Sequence, residues 1–406
     1  MAELYFDYAA TTPVDPRVAE YMADLLGTAG PHANPASDHA AGRRAAAVVD
    51  QARERVAAAV GAWPEEIIWT SGATEANNLA LHGVAGFQRR RGRACHVIVS
   101  AVEHASLLEP LEALERRGVN VTRLPVSADG LVDRERLEAA LRPETGLVSI
   151  MHVNNETGVA QDLAALGEAV RRHGALFHVD AAQSVGRLPL DVNALPVDLV
   201  SLSAHKLYGP KGVGALYLRS GRRLEPLLRG GGQERGLRSG TLATHQAAGM
   251  GLAFELSASC GEEPARLAAL SARLRAALGR LEDVFLIGHE QQRSPHVLSL
   301  AFAGVHGRAL QALTPALAAS IGSACNAPTG RPSHVLRAMG IPDALAQSVL
   351  RLSLGRFTTE PEIDAAVECL TGAVDHLRRM SPLWHDRLAG MSWTDIYGVE
   401  HLPRAA

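Results

Sequence analysis

Short apolar runs alternate with amphipathic helical segments from about residue 48 to residue 220. Several of these runs are apolar throughout, as expected for strands that are buried on both faces of a sheet. The pattern predicts strands at Ile67–Thr70, His96–Ser100, Val119–Leu124, Leu147–Val153, Leu176–Val179 and Leu199–Leu202. Strands that alternate with helices are typical of an α/β fold with a mostly parallel sheet.

Glycine marks the predicted ends of two helices. Ser106–Arg117 is followed by Gly118, and Asp162–His173 is followed by Gly174. A glycine just past the last turn favours a left-handed cap, so both helices are predicted to stop there.

The pattern changes after about residue 255 and indicates a second, smaller α+β unit. It predicts, in chain order, a helix at Ala265–Leu281, strands at Val284–Ile287 and Val297–Phe302, a Gly/Pro-rich loop at Gly322–Pro332, a strand at Val349–Ser353 and a helix from Glu360. The Gly- and Arg-rich segment Glu225–Thr241 is the best candidate for a long functional loop.

Composition and charge exclude several classes of protein. The net charge of −3 over 406 residues favours neither nucleic acid nor an anionic membrane. The run Arg89–Arg93 is better explained as a solvated helix end than as a nucleic-acid site. No stretch has the roughly 20 apolar residues of a membrane span, and we see no signal peptide. We therefore expect a cytoplasmic protein whose four scattered cysteines are reduced.

Lysine is nearly absent from this chain. Of the 40 lysine and arginine residues, only Lys206 and Lys211 are lysines. An amine can lose its proton and condense with an aldehyde, whereas a guanidinium cannot. Lys206 directly follows a predicted buried strand, so it is the candidate for such chemistry. Lys211 lies in a Gly/Pro turn and is interpreted as a surface cation or loop clamp.

Polar residues follow several predicted strands. The segment Thr70–Asn78, which contains Ser71–Asn78, runs from a strand end through a small-residue turn into a helix. It could cradle a phosphate, although many ordinary helix starts look the same. Asp180 ends a buried strand and needs a cationic or hydrogen-bonding partner, unless it only caps a helix. His104 and the amides Asn154 and Asn155 follow two other strands. Carboxyl ends of parallel strands are where α/β folds bind ligands.

Two residues of the second unit complete the candidate site. Cys325 lies among Gly, Ala and Pro residues, which predicts an exposed thiol, whereas Cys95 and Cys369 are predicted to be buried in the core. Arg351 lies on a predicted strand, and a buried arginine needs an anion such as an amino-acid carboxylate.

These motifs, in this order, closely resemble the NifS/IscS-type cysteine desulfurases of the class V aminotransferase family. The resemblance runs nearly end to end, and the long-loop cysteine matches the IscS-like branch. The matching segments are Asp7–Thr12, Asn34–Ser37, Ser71–Glu75, His152–Glu156, His178–Gln183, Ser203–Lys206, Arg235–Thr241, Gly322–Cys325 and Arg351–Phe357.

The resemblance implies a fold-type-I enzyme that binds pyridoxal phosphate. It implies a seven-stranded, mostly parallel sheet in a large domain of residues 15–258, and a small domain of residues 1–14 and 259–406. Lys206 would bind the cofactor as a Schiff base. The other implied cofactor contacts are Ala73, Thr74, His104, Asn155, Asp180, Gln183, Ser203, His205 and, from the neighbouring subunit of a homodimer, Thr241.

The implied reaction converts L-cysteine to L-alanine and leaves the sulfur on Cys325 as a persulfide. Asn155 and Arg351 would bind the substrate carboxylate, and His104 would serve as an acid–base group for the thiol. Iron–sulfur scaffold proteins or thiolation enzymes would accept the sulfur. No resident metal is expected, although Cys325 could ligate a transferred cluster.

Two rival functions remain open at the level of sequence. One is a related enzyme on the same scaffold, such as a selenocysteine lyase or an aminotransferase, and an aminotransferase would not need Cys325. The other is a sulfur-assembly platform without catalysis.

Overall fold

The computed structural model describes residues 3–259, 261–321 and 333–398. Its strands are β1 Leu4–Tyr5, β2 Ile67–Thr70, β3 His96–Ser100, β4 Asn120–Leu124, β5 Thr145–Ser149, β6 Leu176–Asp180, β7 Leu199–Ser203, β8 Gly214–Leu218, β9 Val284–Leu286, β10 Val297–Phe302, β11 Leu317–Ala318, β12 Ser320–Ile321 and β13 Val349–Ser353.

The helices alternate with these strands in the first part of the chain and frame them in the second. They are α1 Pro16–Asp24, α2 Ala40–Val60, α3 Ala73–Arg90, α4 Ala105–Glu115, α5 Arg134–Ala140, α6 Leu163–His173, α7 Thr244–Ser259, α8 Glu263–Leu278, α9 Gly307–Leu313, α10 His334–Ala338, α11 Asp343–Ala346, α12 Glu360–Arg379, α13 Pro382–Leu388 and α14 Trp393–Tyr397. None of the helices in these segments has the length and apolar character needed to cross a bilayer.

The larger sheet has seven strands in the order β2–β8–β7–β6–β5–β3–β4. All neighbouring pairs from β7 to β4 are parallel, and only β8 runs antiparallel to both of its neighbours. The expected seven-stranded, mostly parallel α/β sheet is therefore confirmed. Because β8 is reversed, its amino end lies at the same edge as the carboxyl ends of the other strands.

Helices cover both faces of this sheet. Ile67 and Trp69 point to one face, where they pack with the apolar sides of α2, α6 and α7. Ile68 points to the opposite face and packs with α3 and α4. This alternation along a strand that is buried on both sides explains why the strands are apolar throughout. The two helical layers leave only the sheet edges accessible to a ligand.

The smaller sheet has four strands in the order β12–β13–β10–β9, and all three pairings are antiparallel. It packs with α8 and α12 through a second apolar core. The first described residues also join this part of the protein, because β1 pairs with β11 and Asp7 bridges to Ser353. The division into a large domain of residues 15–258 and a small domain of residues 1–14 and 259–406 stays a prediction.

Most of the predicted boundaries agree with the structure to within three residues. Gly174 has the expected left-handed conformation (φ 89°) after α6, and Gly118 has φ 87° beyond α4. Arg89 and Arg90 form the last turn of α3, as predicted for that basic run. Cys95 is buried, but Cys369 is only half-buried, so its assignment to the core was partly wrong.

One strand starts two residues and ends four residues earlier than predicted. β5 starts at Thr145 and ends at Ser149, whereas the apolar run suggested Leu147–Val153. His96 pairs with Thr145 and Val97 pairs with Leu147, so the register skips Gly146, an irregularity that hydrophobic periodicity does not reveal. Ile150–Val153 are buried, but they lie beyond the end of the strand.

Candidate active site

A cavity of about 630 Å³ lies at the carboxyl edge of the larger sheet, between that edge and the smaller sheet. Since the parallel strands end here, the polar residues that follow them share one space. The predicted residues that line this cavity are Ala73, Thr74, His104, Asn155, Asp180, Gln183, Ser203, His205, Lys206 and Arg351.

Lys206 lies in the turn that follows β7. Its Nζ donates to the backbone carbonyls of Ala9, at 2.5 Å, and Ala10, at 2.7 Å. This amino-terminal segment therefore crosses the cavity next to the lysine. The contacts hold the amine beside the groups that line the cavity.

Tyr208 braces the same turn, and sequence reasoning did not single it out. It has a left-handed backbone (φ 62°), which is strained for a bulky residue, and its side chain is fully buried. Its hydroxyl accepts from Arg187 Nη2 at 2.7 Å and from the backbone N–H of Arg356 at 2.5 Å. Both guanidinium groups also lie against its ring, 5.0 and 4.2 Å from the centroid. These contacts fix the strained turn that presents Lys206.

Asp180 ends β6 and is buried, with 6% of its surface exposed. Its Oδ2 accepts from Asn77 Nδ2 at 2.8 Å, and its Oδ1 accepts from the backbone N–H of Ala182 at 2.9 Å. Asn77 also donates to Ser106 Oγ at 2.8 Å. Asn77 is part of the Ser71–Asn78 motif, so the sequence contained it but gave no reason to join it to Asp180.

His104 caps the start of α4. Its Nδ1 accepts from the backbone N–H of Ser106 at 3.1 Å, so the neutral ring carries its proton on Nε2. Although part of the ring is open to the cavity, the surrounding protein lowers the pKa of His104 through burial, and nearby Lys206 lowers it further. The neutral ring can therefore pack against an aromatic group and exchange a proton.

An anion cradle lies where β2 and β7 end. Gly72 has φ 154° and ψ 178°, a backbone conformation reserved for glycine, and α3 begins directly after it. The first N–H groups of a helix have no partner within the helix and attract anions. Ser203 Oγ, which is buried at this cavity, has no hydrogen-bond partner among the described residues.

His205 adds a neutral hydrogen-bonding group to the cradle. Its Nδ1 lies 3.1 Å from Thr11 Oγ1. Burial lowers the pKa of His205 to about 4, and the charges of Lys206 and Lys211 contribute. The imidazole is therefore uncharged at neutral pH, and it supplies hydrogen bonding without a positive charge.

Gln183 is held between two parts of the chain. Its Nε2 donates to the carbonyl of Ala9 at 2.8 Å, and its Oε1 lies 3.3 Å from His296 Nε2. Both ends of the amide are thus engaged by the protein, although the side chain lines the cavity.

Arg351 lies on β13 at the opposite end of the cavity and is buried, as predicted. The anion that it needs is supplied by Asp7, whose Oδ1 accepts from Nη2 at 2.7 Å. Nη2 also donates to Ser320 Oγ at 2.9 Å, and Nη1 donates to the backbone carbonyl of Asn155 at 2.7 Å. Asp7 and Ser320 were not predicted, because no local pattern joins residues 7, 320 and 351.

Glu103 is a second buried group that the sequence did not reveal. Its Oε1 accepts from Ser100 Oγ at 2.5 Å and from the backbone N–H of Met151 at 2.8 Å. Burial raises the pKa of this carboxyl to about 8, and the charge of Asp180 adds to the effect. Glu103 is therefore protonated at neutral pH and joins the ends of β3 and β5 without a charge.

One predicted residue lies outside the main cavity, and another is not described by the structure. Thr241 is exposed and lines a separate recess of about 140 Å³, which shares Ser71 and Gly212 with the main cavity. Cys325 and the whole predicted loop Gly322–Pro332 lie outside the described residues. The structure thus brings together the predicted residues of the larger sheet and Arg351, but not Thr241.

The profile of the family described as "Aminotransferase class-V" matches residues 4–366. The chain is 50% identical over 402 residues to "Cysteine desulfurase IscS" of Proteus mirabilis (strain HI4320), a match that covers 98% of this chain and 99% of that protein. This chain belongs to the class V aminotransferases, in the branch of the IscS-type cysteine desulfurases.

Other members of this branch agree in sequence and in fold. "Cysteine desulfurase IscS" of Klebsiella pneumoniae is 48% identical over 402 residues, covering 98% of this chain and 99% of that protein. A solved structure described as "NIFS-LIKE PROTEIN" has a TM-score of 0.84 and 36% identity, over 92% of this chain and 99% of that one. Another, described as "SspA in complex with cysteine", has a TM-score of 0.78 and 38% identity, over 87% and 99% of the two chains. The chain is therefore an enzyme of fold type I.

Proposed function

We propose that this protein is a pyridoxal phosphate-dependent cysteine desulfurase that forms L-alanine and keeps the sulfur as a persulfide on Cys325. The observation that carries this proposal is one cavity with Lys206, Asp180 and Ser203 at one end and Arg351 at the other. The names of the IscS relatives, and the related structure described as a complex with cysteine, support L-cysteine as the substrate.

The described residues fit pyridoxal phosphate. The Ser203 hydroxyl, which has no partner among the residues that the structure describes, and the start of α3 suit a phosphate. The buried Asp180 carboxylate suits a protonated pyridine nitrogen. Lys206 presents an amine that can condense with the aldehyde. When bound, the cofactor supplies an electron-poor ring that stabilises negative charge at the α-carbon of an amino acid. Ala73, Thr74, Gln183 and His205 are the remaining contacts that we assign on this chain.

Arg351 binds the substrate carboxylate together with Asn155. The guanidinium offers a planar set of donors that suits a carboxylate. Its Nη2 is engaged by Asp7 and Ser320, whereas its buried Nε has no partner among the described residues. The substrate carboxylate therefore gains the Nε donor, and it shares or replaces the contacts of Nη2.

Lys206 and His104 move protons. Lys206 Nζ is held beside the carbonyls of Ala9 and Ala10, within the cavity where the α-proton of the substrate would lie. His104 has a neutral ring with a proton on Nε2, so it can exchange a proton with the thiol of the substrate or of Cys325.

The sulfur step balances without an external oxidant or reductant. The thiolate of Cys325 attacks the substrate sulfur, a sulfur–sulfur bond forms and the carbon–sulfur bond breaks. The electron pair of the broken bond stays with the carbon skeleton, which gains a proton and leaves as L-alanine. The products are one alanine and one persulfide at Cys325.

The proposed desulfurase function also includes a homodimer and a sulfur acceptor. Two chains form a homodimer in the cytoplasm, and Thr241 of each chain reaches the phosphate in the neighbouring active site. The exposure of Thr241 and its position in a recess separate from the main cavity support this arrangement. The persulfide then passes to an iron–sulfur scaffold protein or a thiolation enzyme.

Borohydride reduction tests the cofactor and its attachment. The purified protein should be yellow, and reduction should bleach the colour and fix one cofactor mass to a peptide that contains Lys206. Because the chain has only two lysines, peptide mass spectrometry separates Lys206 from Lys211 without ambiguity. Protein that stays colourless and takes up no pyridoxal phosphate would support the platform function instead.

Replacing Cys325 tests the reaction. Cys325→Ala should bind the cofactor as the unaltered protein does but release no sulfide from L-cysteine in the presence of a thiol reductant. Cys369→Ala removes another thiol and serves as the matched control. Sulfide release that survives in Cys325→Ala would contradict the persulfide step.

A further inference from the structure

Lys211 is exposed, as its position in a Gly/Pro turn suggested, and it also lines the main cavity. It lies in the connection from β7 to β8, five residues after Lys206. Because β8 runs antiparallel to β7, the chain reaches the start of β8 at the ligand-binding edge of the sheet. This reversal, which the sequence did not predict, brings a second lysine into the site.

The backbone next to Lys211 packs closely against the anion cradle. A Cβ atom on Gly214 would lie 2.6 Å from the Cα of Gly72, so only glycine allows this approach. Gly72 directly precedes α3, whose first residues Ala73 and Thr74 line the cavity. The turn with Lys211 and the amino end of α3 therefore form adjacent walls of one cradle.

Positive charge is otherwise scarce in this cradle. His205 is neutral, since burial lowers its pKa to about 4. Arg351 lies at the other end of the cavity and is paired with Asp7. Lys206 is reserved for the covalent attachment of the cofactor. Lys211 has no ion-pair or hydrogen-bond partner for its ammonium group within the described parts of the chain.

The acidic group at the start of α3 is already paired. Glu75 lies in the first turn of α3, but its carboxylate accepts from Arg238 Nε at 2.8 Å and from the backbone N–H of Ser71 at 2.7 Å. The hydroxyl of Ser203, buried and without a partner in the described residues, independently indicates that this cradle receives a hydrogen-bonding ligand. Hydroxyl and amide groups bind a phosphate, but they do not neutralise it.

We infer that Lys211 is the cation that neutralises the cofactor phosphate, beside the hydroxyl of Ser203 and the amino end of α3. This role deepens the proposed function and rests on it. It also gives the two lysines different roles, because Lys206 binds the aldehyde of the cofactor whereas Lys211 binds its phosphate.

Comparing pyridoxal phosphate with pyridoxal isolates the phosphate contribution. Full-length protein is freed of cofactor and titrated with each compound, and binding is followed by visible absorbance. Lys211→Gln should weaken the binding of pyridoxal phosphate by about 10-fold or more, because hydrogen bonds to charged groups are strong. Its affinity for pyridoxal, which has no phosphate, should be unchanged. Lys211→Arg should recover most of the lost affinity.

Arg308→Gln is the matched control for the loss of one positive charge. Arg308 is exposed on α9 and does not line the cavity. This variant should bind both compounds as the unaltered protein does. In addition, inorganic phosphate should compete with pyridoxal phosphate less effectively in Lys211→Gln than in the control.

Each other outcome overturns a defined part of this inference. Equal weakening of pyridoxal phosphate and pyridoxal would show that Lys211 only shapes the turn that carries Lys206. Unchanged binding of both compounds would show that Lys211 does not reach the phosphate. If the unaltered protein takes up neither compound, the proposed function itself fails.

Discussion

The two ends of the cavity differ in how their polar groups are satisfied by the polypeptide itself. At the cofactor end, Ser203 Oγ and the first N–H groups of α3 are left without partners in the described part of the protein. At the carboxylate end, both Nη atoms of Arg351 already have partners in Asp7, Ser320 and the carbonyl of Asn155, and only its Nε has none in that part of the protein.

This difference has an energetic consequence. Groups that are left unpaired in a buried site gain fully from a ligand that satisfies them. Groups that already have partners gain only the difference between the new and the old contacts. We therefore expect the end with Ser203 to hold its ligand more tightly than the end with Arg351, where most of the donors are already engaged.

Of the variants that test this comparison, Lys206→Arg should have the largest effect, on both cofactor binding and activity. A guanidinium cannot condense with the aldehyde, so the variant should show no cofactor colour and should lose activity by at least about 100-fold. Absorbance and sulfide release measure the two effects. The double variant Lys206→Arg/Arg308→Lys has a new amine outside the cavity, and it should recover neither cofactor colour nor activity. Recovery of colour in that double variant would contradict the assignment.

Arg351→Lys should separate the two ends of the cavity. The variant keeps a positive charge but loses the planar pair of donors, so KM for L-cysteine should rise by about 10- to 100-fold. Cofactor affinity should not change, because Arg351 lies away from the phosphate cradle. Steady-state kinetics and cofactor titration check both statements. A parallel loss of cofactor affinity would mean that the ends are not independent.

Asp7→Asn should change KM for L-cysteine in the direction opposite to Arg351→Lys. The amide keeps an acceptor for Arg351 and Ser320 but removes the negative charge that opposes the substrate carboxylate. Partly exposed ion pairs contribute little, so KM should fall by up to about fivefold. Asp133→Asn, which removes an exposed carboxylate from the cap of α5, is the control. A rise in KM would show that Asp7 mainly orients Arg351.

Glu103→Gln should produce the smallest effect, on stability rather than on turnover. Burial raises the pKa of Glu103 from 4.5 to about 8, so the folded protein keeps a proton that the unfolded chain releases between these values. The free energy of unfolding therefore falls as pH rises from 4.5 to about 8.

The variant has no such proton, so its Tm should exceed that of the unaltered protein increasingly as pH rises through this window. Thermal unfolding at several pH values measures the difference. Glu109→Gln, on the exposed side of α4, should show no pH-dependent difference. A constant offset for Glu103→Gln would mean that Glu103 is ionised in the folded protein.

Local patterns predicted much of the larger sheet and one end of the site. Strands β2 and β3 were placed at their observed bounds, because continuous apolar runs flanked by polar residues mark buried strands. Lys206 and Asp180 followed from their positions at the ends of such strands, whereas Ser203 was implied by the family resemblance. Thr145–Ser149 was misplaced and Gly214–Leu218 was missed, since their glycine and threonine residues interrupt the apolar pattern.

The sequence by itself determined the chemistry of this protein: the two lysines, the acid after β6 and the order of motifs that identifies the family. These depend on residue type and short-range spacing, which the chain displays directly. Only the tertiary structure decided which groups meet across long separations. Asp7 pairs with Arg351 over 344 residues, and Asn77 with Asp180 over 103. Such contacts arise from sheet order and strand direction, and the reversal of β8 that brings Lys211 to the phosphate cradle has the same origin.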